Sequence, residues 1–271
     1  MSTRRIKLVV AYDGTDFCGW APQRGQRTVH STLKKAVRQV SGEAIEITGA
    51  SRTDSGAHAK GQVVHFDQKS KMPVENWVRA LGDVLPADIA AIAASEEDSR
   101  FHARFSAQSR TYRYVIATGP RDPFRDRFAH WNGRLLDSRA MQKAANFLVG
   151  TRDFEPFSQD LPPGTNFVRT IIRAEVRSRS DRVELEIVGN AFLRGMMRRI
   201  AGALWQVGRH KWEPERIRDL ASPETARTGE RPPVLPAHGL TLLRVNYGRW
   251  PKDWRTEEEQ DSLDNQGNDD E

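Results

Sequence analysis

The sequence has a single cysteine, Cys18, among its 271 residues. One thiol cannot form an intramolecular disulfide or a cysteine-based zinc cluster, and it suits a reducing compartment, so we expect a cytoplasmic protein. Long apolar runs are missing as well, since the longest is IAAIAA at 89–94, and a membrane span needs about 20 residues. The N-terminal MSTRRIKLVV lacks an apolar segment followed by a small-residue cleavage site. We therefore expect neither secretion nor insertion in a membrane.

Three nucleotide- and metal-binding signatures are also absent from the sequence. It has no Walker-type glycine loop, no G-x-G-x-x-G fingerprint, and no H-x-E with P-C-x-x-C as in the zinc base deaminases. We therefore expect any chemistry of this chain to need no cofactor and no metal ion.

Positive charge is present in excess, and it is unevenly distributed. Lys and Arg number 42 against 36 Asp and Glu, yet the C-terminal TEEEQDSLDNQGNDDE contains eight acids and no base. Without that segment, 42 bases face 28 acids, a net charge of +14. Such a charge favours a polyanionic partner, most simply a nucleic acid, although it also serves solubility.

Apolar periodicity predicts alternating strands and helices. Residues 6–12 alternate as a strand, and Val29, Leu33, Val37 and Val40 repeat at helical spacing. Short strands are expected in AIEIT and QVVHFD, a helix from Pro73 to Leu85, and a strand in IAAIAAS. The later part repeats this order with the strand RTYRYVIAT, the helix SRAMQKAANFLVG, a hairpin around Ser180 and Asp181, the helix FLRGMMRRIAGALWQVG and the strand LTLLRVNY.

This order predicts an α+β fold made of two ferredoxin-like halves, each a split β-α-β unit. The halves are 1–106 and 107–250, and 251–271 has the composition of a disordered tail. Two such sheets joined edge to edge would form one mostly antiparallel platform, with helices on one side and a central cleft for RNA.

The loop TGASRTDSGAHA at 48–59 carries Arg52, Asp54 and His58 between two predicted strands. Loops on a rigid scaffold often display catalytic groups. Taken alone, however, TDSG is an ordinary turn in which the Asp54 carboxylate caps local N–H groups. His58 follows Asp54 by four residues, but no third ligand with suitable spacing supports a metal site.

Two arginine-rich segments could contact RNA. Tyr112 and Tyr114 share one face of a strand beside Arg110 and Arg113; they could stack on bases while the arginines meet phosphate, or they could be core. Arg194 and Arg198 are spaced i, i+4 on a predicted helix, where they could bind phosphate, pair with a carboxylate or face solvent.

Several segments together resemble the tRNA pseudouridine synthase A (TruA) family. They are YDGTDFCGW, TGASRTDSGAHA, FHARFSAQSRTYRYVI, GTRDFEPFS, FVRTI, NAFLRGMMRRIAGAL and PAHGLTLLRVNY, which occur in the family's order over about nine-tenths of the chain. The resemblance implies a two-lobed α/β fold, a homodimer, and cofactor-free isomerisation of uridine to pseudouridine at positions 38, 39 and 40 of the tRNA anticodon stem-loop.

The same resemblance implies roles for individual residues. Asp54 would be the catalytic nucleophile, with Arg52 displacing or holding the target base. Tyr112 would stack on the flipped uracil and is a candidate to take the proton from C5, and Arg198 would pair with Asp54. Arg110 and Arg194 are the further candidates for substrate binding.

The sequence departs from the family pattern at Ser51, where glycine is usual, at Ala57, Ala21 and Arg152, and in GMMRR. These departures put the substrate range in doubt. Two rival functions are a non-catalytic RNA-binding or RNA-folding protein, which would not need Asp54, and a metal-dependent nuclease that uses Asp13, Asp16, Asp54 and His58.

Overall fold

The first strand follows from its apolar alternation. β1 spans Arg4–Tyr12, and the side chains of Ile6, Leu8 and Val10 on one face are fully buried. The computed structural model describes residues 3–159, 161–162, 164–222 and 230–248. The predicted tail at 251–271 lies outside these residues.

Nine further strands and five helices are present in the described ranges. The strands are β2 (Thr48–Gly49), β3 (His58–Gln68), β4 (Ile89–Glu97), β5 (Ser109–Ala117), β6 (His130–Trp131), β7 (Gly150–Asp153), β8 (Val168–Ser178), β9 (Arg182–Gly189) and β10 (Leu240–Asn246). The helices are α1 (Val29–Ser41), α2 (Asn76–Gly82), α3 (Ser138–Asn146), α4 (Met196–Gly208) and α5 (Glu215–Leu220).

All ten strands belong to one sheet. Its order is β4-β1-β3-β10-β5-β9-β8-β7, with β2 added beside β3 and β6 beside β5. Every pairing is antiparallel except β3 with β10 and β5 with β6. The prediction of a mixed α+β fold with a large, mostly antiparallel sheet is therefore confirmed.

A short parallel contact between β3 and β10 connects the strands of the first part of the chain to those of the second. Thr241 pairs with His58, and Leu242 pairs with Ala59. β10 also pairs with β5, where Leu242 lies opposite Tyr112. Consequently, the residues that enter β3 lie one strand away from the middle of β5, with β10 between them.

The helices bury the apolar faces that their periodicity predicts. In α1, Val29, Leu33 and Val37 are buried, and the Thr28 side chain caps the first turn by accepting from the Ser31 N–H. α4 is more extensively buried, with Met197, Ile200, Leu204 and Val207 all facing the core. Apolar burial of this kind fixes the helices against the sheet.

Three predicted element boundaries are wrong. Of the expected strand AIEIT, only Thr48 belongs to β2, although the side chains of Ile45 and Ile47 are buried. α2 starts at Asn76 instead of Pro73, because the Asn76 N–H bonds to the Pro73 carbonyl in a turn. α4 starts at Met196, because Gly195 has a φ of +71° and so cannot continue a right-handed helix.

Three observed elements, β6, β7 and α5, were not among the predicted ones. Each is six residues or fewer, too short for apolar periodicity to identify. No helix in the described part of the chain is both long and apolar enough to cross a membrane.

Candidate active site

The loop at residues 50–57 connects β2 to β3 and carries Asp54. Its backbone is anchored by the Trp20 N–H, which donates to the Thr53 carbonyl at 3.1 Å. The Ala57 N–H donates to the Asp54 carbonyl at 3.1 Å. The turn that TDSG predicts is therefore present, and Asp54 occupies its first position.

The Asp54 carboxylate is held by an arginine from α4. Arg198 Nη1 donates to Asp54 Oδ2 at 3.1 Å, while Arg198 Nε donates to the Leu235 carbonyl at 2.7 Å. The Asp54 side chain is 24% exposed. Within the described residues, Oδ1 accepts no hydrogen bond, so Arg198 fixes one carboxylate oxygen and the other has no protein donor.

Tyr112 in β5 lies against this loop. Its side chain is buried, its ring meets Phe192 edge-on at a centroid distance of 4.9 Å, and its hydroxyl lies 2.7 Å from Ser51 Oγ. Burial raises the pKa of the Tyr112 phenol, and the negative charge of Asp54 adds to that increase. Tyr112 is therefore a neutral phenol close to the Asp54 carboxylate at neutral pH.

The buried side chain of Gln62 fixes the backbone of Ser51. Gln62 Nε2 donates to the Ser51 carbonyl at 2.6 Å, and the Ser51 N–H donates to Gln62 Oε1 at 3.2 Å. Two residues further along, Thr53 Oγ1 lies 2.8 Å from the hydroxyl of Tyr12, which is also buried. The stretch that leads to Asp54 is thus held from two strands.

Arg52 and Arg194 are exposed. Within the described ranges, neither guanidinium has a hydrogen-bond or ion-pair partner. Arg194 precedes α4 and its N-cap Gly195, so the expected i, i+4 stacking of Arg194 and Arg198 on one helix face is wrong. Arg198 contacts the Asp54 carboxylate, whereas Arg194 is exposed to solvent.

Arg110 and Arg113 have different surroundings. Arg110 is only 7% exposed, and its guanidinium donates to backbone carbonyls of four residues, namely Ala50, Arg104, Ala107 and Asn190. Burial lowers the pKa of Arg110. Arg113 instead pairs with Glu186 at 3.3 Å. All observed contacts of Arg110 are therefore to the protein's own loops.

Tyr114, the second tyrosine of the strand, is a core residue. It is fully buried, and its hydroxyl donates to the Pro236 carbonyl at 2.8 Å. The alternative that it stacks on RNA is therefore excluded for Tyr114.

His58 supports the loop from inside the fold. Its Nδ1 accepts from the Gly14 N–H at 3.0 Å, and its Nε2 donates to the His238 carbonyl at 3.1 Å. Burial lowers the pKa of His58 although Asp13 lies 3.2 Å away, so the imidazole is neutral. A Cβ at Gly14 would lie 1.9 Å from the Ala57 carbonyl oxygen, so only glycine allows this approach.

The residues of the nuclease hypothesis do not assemble into a metal site. Asp13 accepts a hydrogen bond from Arg127 at 2.6 Å, and Asp16 lies 3.7 Å from the same guanidinium. Among the residues that the structure describes, no three His, Cys, Asp or Glu side chains are grouped to hold a metal ion.

Three contributors to the site were not identified from the sequence. Gln62 could have been noticed as a polar residue within the apolar strand QVVHF, where a buried amide needs specific partners. Phe192 lies beside the predicted arginine helix without a distinguishing pattern. The Leu235 carbonyl is a backbone group, so its contact with Arg198 leaves no mark in the sequence.

A family model and the curated relatives that match this chain carry the same description. A family model described as tRNA pseudouridine synthase matches residues 8–106 and 144–248. Among the curated relatives, a tRNA pseudouridine synthase A of Brevibacillus brevis is 41% identical over 246 residues, covering 90% of this chain and 100% of the relative. The enzyme of the same name from Neisseria meningitidis is 40% identical, covering 90% of this chain and 92% of the relative.

The resemblance to a solved structure is much weaker. A chain of the "Crystal Structure of a Cbf5-Nop10-Gar1 Complex" aligns with a TM-score of 0.32 and 11% identity, over 74% of this chain and 45% of that chain. This likeness is too low to inform either the fold or the function.

Proposed function

Because the chain belongs to the tRNA pseudouridine synthase family, and is thus an isomerase that acts on tRNA, we propose that it converts uridines 38, 39 and 40 of the anticodon stem-loop with Asp54 as nucleophile. The relatives are named tRNA pseudouridine synthase A, so they support neither of the rival functions, RNA folding and metal-dependent cleavage. The observation that carries the proposal is the contact of Asp54 with Arg198.

The reaction explains why a paired carboxylate is useful. The C1'–N1 bond of uridine breaks and a C1'–C5 bond forms. C5 loses its proton, and N1 gains one. An arginine within hydrogen-bond distance fixes the orientation of the carboxylate. Asp54 Oδ1 would then attack either C6 of the uracil or C1' of the ribose, and both routes give the same product.

Tyr112 would form one wall of the pocket for the flipped base. Unstacking a uridine costs a few kcal/mol, which stacking on an aromatic ring offsets. Its raised pKa favours the stacking role over removal of the C5 proton, because a neutral phenol is a weak base.

The arginines would divide the remaining work. Arg52 lies two residues before Asp54, and Arg194 lies four residues before Arg198. Both are exposed, so their guanidiniums are available for the target nucleotide and its phosphates. Arg110 would contribute to the proposed binding site indirectly, because its guanidinium binds the backbone of the loops that line the site.

The proposal extends to the architecture. Strands β4-β1-β3-β2 and β10-β5-β9-β8 follow the same order, which supports two split β-α-β halves at 1–106 and 107–250. Between them would lie the cleft for the anticodon stem-loop, with helices on the opposite side of the sheet. We also propose a cytoplasmic homodimer, for which sedimentation of the full chain is the test.

The decisive experiment measures tritium release from tRNA that carries C5-labelled uridine, in buffer with EDTA. Asp54→Asn should abolish release and retain tRNA binding within about twofold, because the amide is isosteric but not nucleophilic. Asp83→Asn, at an exposed residue after α2, is the matched control. Release by Asp54→Asn at the wild-type rate would refute the role of Asp54.

Substrate tRNAs that keep a single uridine at 38, 39 or 40 test the positions. Release from each, and none from a tRNA with all three replaced by cytidine, is expected. Release from the tRNA without these uridines would contradict the proposed positions while leaving the role of Asp54 intact.

A further inference from the structure

A phenylalanine next to the proposed site is exposed on a rigid loop. Phe105 has 76% of its surface exposed, and its ring stacks on that of His102 with a centroid distance of 4.3 Å and an interplanar angle of 28°. Large exposed apolar side chains are common singly and by themselves indicate nothing. Phe105 differs because a second ring supports one of its faces.

The loop that carries these rings, residues 101–106, is fixed by its own hydrogen bonds. His102 Nδ1 accepts from the N–H groups of Arg104 and Phe105, each at 3.2 Å. The Ser106 N–H donates to the His102 carbonyl at 2.8 Å, and the His102 N–H donates to Ser106 Oγ at 2.9 Å. A ring that is already ordered loses little conformational entropy when a ligand stacks on it.

The same loop is joined to the proposed active site by one side chain. Arg110 Nη2 donates to the Arg104 carbonyl at 2.7 Å and reaches the Ala50 carbonyl at 3.4 Å. Ala50 directly precedes Ser51, whose hydroxyl contacts Tyr112. A single guanidinium therefore separates the Phe105 loop from the pocket in which the target uridine is proposed to lie.

The chemistry of the surface suits RNA. The exposed guanidinium of Arg104 lies 5.6 Å from the centre of the Phe105 ring, so a positive charge accompanies the aromatic face. Unpaired bases of RNA are recognised by stacking on aromatic rings, with arginines at the adjoining phosphates. Since the chain's family acts on tRNA, the RNA that enters the site is the natural occupant.

We propose that Phe105, supported by His102, is a stacking platform for an unpaired base of the tRNA next to the modified uridine, and that Arg104 binds the phosphate of that nucleotide. The platform adds a binding subsite to the proposed function and rests on the location of the active site at Asp54. It would hold the RNA strand in place while the target base leaves the helix.

The test uses tRNA binding in an Asp54→Asn background, so that it does not depend on catalysis. Phe105→Ala should raise the Kd at least about fivefold, and Phe105→Tyr, which keeps the ring, should bind within twofold of the parent. Phe124→Ala removes an even more exposed phenylalanine, 88% exposed, and should leave the Kd unchanged.

Abasic tRNAs identify the partner of the ring. An abasic nucleotide is placed in turn at each position that flanks uridines 38 to 40. At one of these positions, Phe105→Ala should no longer raise the Kd, because a double-mutant cycle shows coupling between groups in contact. Equal binding by Phe105→Ala and the parent, or an undiminished effect with every abasic tRNA, would overturn the proposal. So would dissociation of a dimer by Phe105→Ala, which would assign the ring to a protein interface.

A failure of the platform is distinguishable from a failure of the proposed function. Loss of tritium release in Asp54→Asn together with unchanged binding by Phe105→Ala would refute only the platform. Retained release in Asp54→Asn together with the abasic coupling would refute only the role of Asp54.

Discussion

Asp54 and Arg198 are 144 residues apart in the sequence, and their side chains are joined by a hydrogen bond of 3.1 Å. The bond connects the loop before β3 to the first turn of α4. Because Arg198 also donates to the Leu235 carbonyl, its guanidinium is held at two points and presents a defined edge to the carboxylate. Four predictions follow from this arrangement and its surroundings.

Arg198→Lys should lower the rate of tritium release in single-turnover experiments by about 100-fold, because small displacements of a reacting group have effects of that size. An ammonium keeps the charge but cannot make both hydrogen bonds with the geometry of a planar guanidinium. Arg139→Lys, at an exposed position on α3, is the control and should retain the single-turnover rate at saturating enzyme. A wild-type rate in Arg198→Lys would show that charge alone is sufficient.

Ser51→Ala should destabilise the protein by about 1–2 kcal/mol in urea unfolding, because it leaves the buried Tyr112 hydroxyl without its 2.7 Å partner. Adding Tyr112→Phe should recover most of that loss, since the orphaned hydroxyl is then absent. Tyr114→Phe, which removes a hydroxyl from the Pro236 carbonyl, is the control and should not couple to Ser51→Ala. Additive losses for Ser51 and Tyr112 would contradict the contact.

Arg110→Met should lower the free energy of unfolding by about 3 kcal/mol, because the carbonyls that the guanidinium satisfies would remain buried without a donor. Chemical denaturation measures the loss. Arg24→Met, at an exposed position in the segment before α1, serves as the control and should change stability by less than about 0.5 kcal/mol. If Arg110→Met is as stable as the control, the carbonyls have another donor.

His65 should make stability depend on pH between about 4 and 6.5. Burial, followed by the charges of His102 and Arg5, lowers its pKa from 6.5 to about 4. Below 6.5 the unfolded chain binds a proton that the folded protein does not, so stability falls as the pH decreases toward 4. The loss is on the order of 3 kcal/mol.

His65→Asn is the variant that isolates this effect. Its amide oxygen can replace Nδ1 as acceptor for the Ala103 N–H, which the imidazole accepts at 3.2 Å. The difference in unfolding free energy between wild type and His65→Asn should shrink as the pH falls from 7 to 4. A difference that is constant over this range would contradict the lowered pKa.

The elements themselves could largely be predicted from the sequence. The periodic residues of β1, α1 and the β8–β9 hairpin reappear in the structure with their apolar faces buried. The errors lie where local signals conflict with tertiary contacts, as at Gly195, whose positive φ delays the start of the predicted helix to Met196. Periodicity reports which side chains are buried, but it does not report the backbone angle at a single residue.

For the site, the residues of the RTDSGAH loop and the strand YRY were candidates on chemical grounds. Local patterns do not give their relative positions, because Asp54, Tyr112 and Arg198 belong to three separate elements, and only the family resemblance implied the pairing of Arg198 with Asp54. The structure also separates roles that the sequence could not distinguish, since Arg110 is buried among carbonyls whereas Arg52 and Arg194 are exposed. An arginine looks the same in a sequence whether its donors face solvent or backbone.

The sequence by itself determined the apolar alternation of the strands, the turn that carries Asp54, the excess of positive charge outside the C-terminal acidic segment, and the motifs of the family. These are local properties of neighbouring residues, fixed by backbone and side-chain chemistry. Only the tertiary structure showed the contact of Arg198 with Asp54 that the family resemblance implied, the contact of Ser51 with the Tyr112 hydroxyl, and the bridge by which Arg110 joins the Phe105 loop to Ala50. Those contacts depend on the short parallel pairing of β3 with β10, which brings distant segments together as the core is buried.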